Sequence, residues 1–137
     1  MTMAPRSVFD IAGRAMSAQL VRLNTIASNL ANAGAISRDA DGAYRALKPV
    51  FATVFDRARA GRATVAVEQV VTTAAPPVRR YMPGHPLAGA DGFVFQAAVD
   101  PNQELIEMVE AARQYENNVE VMNTAKALAL ATLRLGQ

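Results

Sequence analysis

The chain has 137 residues, of which 51% are hydrophobic and 19% are charged, and this composition predicts about one globular domain. Its net charge of +2 argues against nucleic-acid binding, which requires a dense basic surface. The lack of cysteine excludes disulfides, thiolate zinc sites and cysteine nucleophiles.

The first predicted element is a long helix over residues 8–33, which "NAG" ends at Gly34. Its apolar and small residues recur in alternating steps of four and three, the spacing of a coiled-coil seam. The seam contains Gly13 and six residues that we expect to form an assembly interface, namely Phe9, Met16, Leu20, Leu23, Ala27 and Leu30.

Residues 37–99 are predicted to form a small β-rich insert of three or four strands. Runs rich in β-branched and aromatic residues, at 44–55, 63–71, 77–82 and 92–99, are separated by turn-rich segments. Asp39, Asp41 and Gly42 match a fragment of a calcium loop, but the remaining ligands are missing, so we expect a turn there. The single histidine, His85, has no partner suited to a metal site, and its side chain is expected to pack in a turn or to face solvent.

Five arginines form the nearest approach to a basic patch: Arg57, Arg59, Arg62, Arg79 and Arg80. Charges near a strand edge usually prevent pairing between the edges of two sheets. Contact with an acidic partner is the alternative.

The last predicted element is a second long helix, with Asp100 as its N-cap and Pro101 at its first position. Glu104, Glu107 and Glu110 are interpreted as a solvated face near the positive end of the helix dipole, since a metal site would need histidine partners. An apolar stripe, expected to be a further part of the assembly interface, contains Leu105, Met108, Ala112, Tyr115, Val119 and Met122.

The end of this helix lacks a polar face. From Ala127 onward the only charged residue is Arg134, and four leucines point around several sides: Leu128, Leu130, Leu133 and Leu135. A two-helix hairpin covers only one of these sides. We therefore expect the leucines to be buried against copies of the same chain, and the tail to be largely unordered in a free subunit.

Both helices also carry asparagines, namely Asn24, Asn29, Asn32, Asn118 and Asn123. Buried amides fix the register between helices at a cost in stability. Ordinary exposed amides are an equally weighted alternative.

The two ends of the chain have opposite charge. Residues 1–36 carry three arginines and one aspartate, whereas residues 100–137 carry three basic and six acidic residues. Opposite charge suits terminal segments that pair with each other or with copies of each other.

We predict an α+β fold in three parts, with assembly helices in 1–36 and 100–137 and the β-rich insert in 37–99. The helices are expected to pair as a coiled-coil-like hairpin that builds a helical tube.

No catalytic constellation is recognisable. Ser28 and Ser37 have no base within their segments, and neither a nucleophile elbow nor a glycine-rich phosphate loop occurs. We therefore expect neither an enzyme nor a resident cofactor, metal or small-molecule substrate.

Four segments together resemble the bacterial flagellar rod, hook and related axial proteins. They are "VFDIAGRAMSAQLVRLNTIASNLANA", "DGAYRALKPVF", "YMPGHPLAGADGFV" and "YENNVEVMNTAKALALATLRLGQ". The lead "FDIAG" and the second segment are more similar to the proximal-rod members than to the hook or distal-rod members. Arg14 and "LVRLNTI" depart from the pattern by adding bulk and charge to the first helix.

This resemblance implies a structural subunit of the proximal rod, the part of the basal body that transmits motor torque across the periplasm. It implies export unfolded through the flagellar type III apparatus, without a cleaved signal peptide. It also implies contacts with copies of itself, with other rod proteins and with the adaptor between rod and membrane ring. The alternative is a non-polymerising helical adaptor that binds one partner through its C-terminal amphipathic helix.

Overall fold

Two long helices lie side by side with a small β-rich region between them in sequence, in a computed structural model that describes residues 5–55 and 63–136. This arrangement confirms the predicted α+β class. In chain order the elements are α1 (Pro5–Asn32), β1 (Ile36–Ser37), β2 (Leu47–Phe55), β3 (Ala63–Thr72), β4 (Val78–Tyr81), β5 (Phe93–Gln96) and α2 (Pro101–Leu135).

The start of α2 is as predicted. The Asp100 carboxylate accepts a hydrogen bond from the Asn102 N–H at 2.9 Å. Pro101 occupies the first turn, where a backbone N–H would have no acceptor within the helix, so the absence of an N–H in proline breaks no hydrogen bond. With 35 residues, α2 is roughly 52 Å long. Within residues 5–55 and 63–136, no helix is both long and apolar enough to span a membrane.

Three polar contacts show that α1 and α2 run antiparallel. Gln19 Nε2 donates to Gln114 Oε1 at 2.9 Å, Arg22 Nη2 to Glu110 Oε2 at 3.5 Å, and Asn29 Nδ2 to Glu104 Oε2 at 3.1 Å. Positions further along α1 thus meet positions earlier in α2. The opposite charge of the two ends is used in this pairing, since Arg22 and Glu110 form an ion pair.

The face of α1 that contacts α2 is rotated by one residue from the predicted apolar seam. Gln19, Arg22 and Asn29 contact α2, and each directly precedes one of the predicted seam residues Leu20, Leu23 and Leu30. One residue is about 100° on a helix, so the seam leucines are turned away from the centre of the pair. Leu20 is consequently exposed, and Leu23 and Leu30 are only half-buried.

The β-rich region contains two separate antiparallel sheets. One has the order β1-β5-β4, and the other is the hairpin of β2 and β3, paired from Leu47 with Thr72 to Phe55 with Ala63. Three of the predicted runs contain the strands β2, β4 and β5, and β3 extends one residue beyond its predicted run. The two-residue strand β1 was missed because so short a segment has no periodicity to detect.

The hairpin packs against α1, where Val65 and Val67 of β3 lie beside Ala18 and Val21. In the other sheet, Val94 of β5 is completely buried. The hairpin is therefore held by α1, which contacts β2, β3 and α2 at once. The other sheet is joined instead to the segment that follows α1, where the Ala97 N–H donates to the Ala35 carbonyl at 3.0 Å.

Candidate assembly interface

The leucine tail of α2 is exposed in the isolated chain. Leu128, Leu133 and Leu135 are 64%, 68% and 90% exposed, and Leu130 is also exposed. The tail is helical through Leu135, which differs from the largely unordered segment that we expected. A continuous helix presents these leucines at fixed positions, so the tail forms a defined apolar surface.

Two of the tail leucines, Leu128 and Leu133, border an open groove of about 890 Å³. It runs along α2 from Asn117 to Leu133 and includes Val8 of α1, and most of its lining is apolar or small. Val121, Ala125 and Leu128 lie along its floor at helical spacing.

Part of the groove lies beside the described start of α1. The antiparallel register places Val8 beside Ala125, and both line the groove. From there α1 continues three residues back to Pro5, whereas α2 continues ten residues to Leu135. About seven residues of α2, roughly 10 Å, therefore lie beyond the described part of its partner helix.

The predicted seam of α1 forms a second outward-facing surface. Leu20 and Ala27 are exposed, as are Asn24 and Ala31 between and beyond them. The other predicted seam residues are half-buried, namely Phe9, Gly13, Met16, Leu23 and Leu30. The exposed positions lie three or four residues apart and therefore follow one side of the helix.

The stripe predicted on the first half of α2 is mostly half-buried, and this group contains Met108, Ala112, Tyr115, Val119 and Met122. Leu105 is exposed, and it lies beside two exposed apolar residues that the sequence analysis missed, Ile106 and Val109. Val109 lies three residues after Ile106 and four residues after Leu105, a spacing that indicates one side of a helix. The predicted stripe contained only Leu105 of these three residues.

The five asparagines have different environments. Asn24 and Asn123 are exposed, whereas Asn32 and Asn118 donate to the carbonyls of Ser28 and Gln114 within their own helices. Asn29 is buried and bonded within the chain. A role of Asn24 or Asn123 in register between subunits stays a prediction.

The interpretation of the acidic row as a solvated face is wrong for Glu104 and Glu107, whereas Glu110 is exposed as predicted. Glu104 is 5% exposed and accepts from Asn29, and Glu107 Oε1 accepts from Lys48 Nζ at 3.0 Å. Glu110 pairs with Arg22. The three carboxylates lie three residues apart along α2, and the first two face α1 and the start of β2, while Glu110 lies at the solvent-exposed end of the row.

Turn residues behave as predicted. Asp39 Oδ1 accepts from the Gly42 N–H at 2.7 Å and closes a local turn, and His85 Nδ1 accepts from the Leu87 N–H at 3.1 Å. Both contacts are typical of side chains that stabilise loops.

Among the arginines, Arg79 forms an ion pair with Asp91 and lies 3.8 Å above the centre of the Phe93 ring. Arg80 is exposed on β4, at the edge of its sheet. Arg57, Arg59 and Arg62 lie outside the described residues.

Comparison with known families matches both ends of the chain. Residues 9–33 match the model "Flagella basal body rod protein", and residues 90–135 match "Flagellar basal body rod FlgEFG protein C-terminal". The two matches contain most of α1 and all of α2, the elements that carry the exposed apolar surfaces.

Curated relatives match almost the whole chain. It is 44% identical to the flagellar basal-body rod protein FlgC of Salmonella typhimurium over 137 residues, which is 98% of this chain and 100% of that one. The FlgC of Yersinia enterocolitica is also 44% identical, over 96% of this chain and 97% of its own length. The FlgC of Aquifex aeolicus is 31% identical, over 89% of this chain and 90% of its own.

Proposed function

This chain belongs to the family of flagellar basal-body rod proteins named FlgC, and we propose that it is a structural subunit of the proximal rod that polymerises through its terminal helices. The observation that carries this proposal is the exposed leucine tail of α2. A helix with leucines on several sides gains stability only when several neighbours surround it.

Burial of the tail supplies the driving force. Fully burying one leucine contributes about 1.5–3 kcal/mol, so four leucines provide a substantial incentive for association. Contiguous exposed apolar patches of this kind are typical of interaction surfaces. We infer that Leu128, Leu130, Leu133 and Leu135 become buried between subunits.

The position of the apolar surfaces favours an open polymer over a closed dimer. The tail lies at one end of α2, whereas the exposed seam residues Leu20 and Ala27 lie towards the opposite end of the helix pair. Contact between two different surfaces is heterologous, and repetition of a heterologous contact generates a helical filament when the ring does not close. Residues 1–36 and 100–137 would thus form the tube, with residues 37–99 outside it.

In this role the chain contacts copies of itself, other flagellar rod proteins and the adaptor between rod and membrane ring. It reaches the periplasmic rod through the flagellar type III export apparatus. The protein acts by transmitting torque and not by catalysis, with no cofactor, nucleic acid or small-molecule substrate. These statements extend the family assignment, and the exposed apolar surfaces support the contacts with copies of the chain.

A non-polymerising adaptor is the competing function. An adaptor helix needs one apolar face and one polar face, and the tail has exposed leucines at positions 128, 130, 133 and 135 with Arg134 as its only charge. Between residues 127 and 135 the spacing leaves no continuous polar side. This pattern favours multiple neighbours over one.

Isolation of sheared basal bodies tests the proposal. A tagged full-length chain should remain in washed basal bodies in a constant ratio to other rod components, and chemical cross-linking should join copies to one another. A matched chain that ends at Ala127 should fold but be absent from the particles. Loss of the full-length chain on washing, or retention of the shortened one, would contradict assembly through the tail.

A further inference from the structure

The side-chain amide of Asn29 joins three separate parts of the chain. It is 1% exposed, and its Nδ2 donates to the Leu47 carbonyl at 2.9 Å and to Glu104 Oε2 at 3.1 Å. Its Oδ1 accepts from the Leu47 N–H at 2.8 Å and from the Tyr44 hydroxyl at 2.9 Å. Both donors and both lone pairs of the amide are therefore in use.

On the hairpin side, Asn29 takes the place of a neighbouring strand. Leu47 is the first residue of β2 and lies opposite Thr72 of β3. Its N–H and its carbonyl both bond to the Asn29 amide, in the donor and acceptor pattern that an adjacent strand would offer. The amide thereby attaches the start of the hairpin to α1.

On the other side, Asn29 satisfies a buried charge of α2. Glu104 is 5% exposed and lies in the first turn of α2. A buried carboxylate is costly unless donors surround it, and Asn29 Nδ2 supplies one. The same NH2 group therefore holds both the hairpin and the start of α2.

We propose that Asn29 is a positioning residue that couples the attachment of the β2–β3 hairpin to the pairing of the two helices, so that neither contact is complete without the other. Two neighbouring contacts reinforce the coupling, since Tyr44 Oη also lies 3.1 Å from Ser28 Oγ and Lys48 pairs with Glu107. These contacts together would fix the orientation of the hairpin relative to the helix pair. This inference concerns the folded subunit and does not depend on the proposed role in the rod.

The substitution Asn29→Asp tests the coupling in the full chain. It keeps the shape and the Oδ1 acceptor for the Leu47 N–H, but it removes both donated bonds and places a second carboxylate beside Glu104. Amide hydrogen exchange, measured by NMR on the isolated protein, should rise by about tenfold or more at Leu47 and in the first turn of α2 together. Amides of the exposed tail, beyond Leu128, should be unchanged.

The second substitution, Glu104→Gln, provides the decisive comparison. In the Asn29→Asp chain, the amide of the introduced glutamine can donate to the aspartate, so the double variant should recover most of the lost protection in the first turn of α2. At Leu47 it should recover part of it, because the Leu47 carbonyl regains no donor. This recovery would include Leu47, which Glu104 does not itself contact through any described hydrogen bond. Asn24→Asp, the same change at an exposed position of α1, is the matched control and should exchange as the parent chain does.

Three results would overturn the proposal. If Asn29→Asp shows the same exchange pattern as the Asn24→Asp control, Asn29 is not a positioning residue. Faster exchange in only one of the two elements would show that they are not coupled. If Asn29→Asp unfolds the whole chain, the double variant decides, since failure of Glu104→Gln to restore folding would show that the shared carboxylate contact is not the cause.

Discussion

Gln19 and Gln114 meet between the two helices, where Gln19 Nε2 donates to Gln114 Oε1 at 2.9 Å. The other polar atom of Gln19, Oε1, is buried without a hydrogen-bond partner among the described residues. A polar pair at an inward position disfavours other registers at a cost in stability. The helix pair is therefore held in register partly by polar contacts, while exposed apolar residues remain available on its outside.

Replacement of this pair should stabilise the isolated subunit. Gln19→Leu with Gln114→Leu removes the buried unpaired oxygen and adds apolar contact, so we expect a gain of about 1–2 kcal/mol in the free energy of unfolding. The midpoint of thermal denaturation should rise by roughly 3–6 °C. Asn24→Leu, on the exposed side of α1, should change stability by less than about 0.5 kcal/mol. A double variant that melts below the parent chain would contradict this view of the pair.

Charged substitutions in the tail should separate folding from assembly. Leu128→Asp and Leu133→Asp affect side chains that are already exposed, so the melting temperature of the free subunit should hardly change. Because each would place a carboxylate in an apolar contact between subunits, incorporation into rods and motility should be lost. Asn123→Asp, at an exposed polar position of the same helix, should remain motile. Normal motility of either leucine variant would refute the interface assignment.

Gly92 should not tolerate a side chain. Its φ is +77°, and an added Cβ would lie 2.8 Å from Tyr81 Cε2 and 3.3 Å from Pro83 Cβ. We expect Gly92→Ala to cost about 1–2 kcal/mol through the backbone alone, with a further cost from the contact. Hydrogen exchange of the Met82 N–H, which donates to the Gly92 carbonyl at 2.9 Å, reports on this turn.

The control for this substitution is Gly84→Ala in the same loop. An added Cβ at Gly84 meets no atom within 4 Å, and its φ does not lie in the left-handed region. This variant should therefore melt like the parent chain. Equal effects of the two substitutions would show that neither the backbone angle nor Tyr81 restricts Gly92.

The ion pair between Arg79 of β4 and Asp91, two residues before β5, should weaken in acid. The Phe93 N–H and then the Arg79 guanidinium hold the pKa of Asp91 below its ordinary value of 3.8. A lowered folded-state pKa means that the stabilisation is complete above that ordinary value and is lost as pH falls through the folded-state pKa. NMR titration of the Asp91 carboxyl and the Arg79 side chain should show the change below pH 3.8.

In Asp91→Asn this acid-dependent change at Arg79 should disappear. The amide keeps the size of the carboxyl group but carries no charge at any pH. A parent chain whose Arg79 signals do not respond below pH 3.8 would contradict the assigned pairing.

Much of the fold could be predicted because its elements have local causes. The Asp100 and Pro101 pair determines where α2 begins, and β-branched runs between turn residues mark four of the five strands. The leucine tail was also recognisable, since the absence of a polar side is a property of the residues alone. Family membership followed from motifs in both helices.

The contacts of individual side chains depended on elements that are distant in sequence. An apolar seam predicts a buried face, but the face of α1 that meets α2 lies one residue away, because Gln19, Arg22 and Asn29 have polar partners there. The acidic row was assigned to solvent because nothing local indicated that Lys48 and Asn29 would face it.

The sequence by itself determined that there are two long helices, a β-rich segment between them and a tail with no side suited to water. Only the tertiary structure decided which helix faces meet, that the strands divide into two sheets, and that Asn29 lies where three segments join. The physical reason is the distance along the sequence over which each effect acts. Periodicity and capping act within a few residues, whereas a buried amide or carboxylate is satisfied by whichever groups the fold brings within about 3 Å.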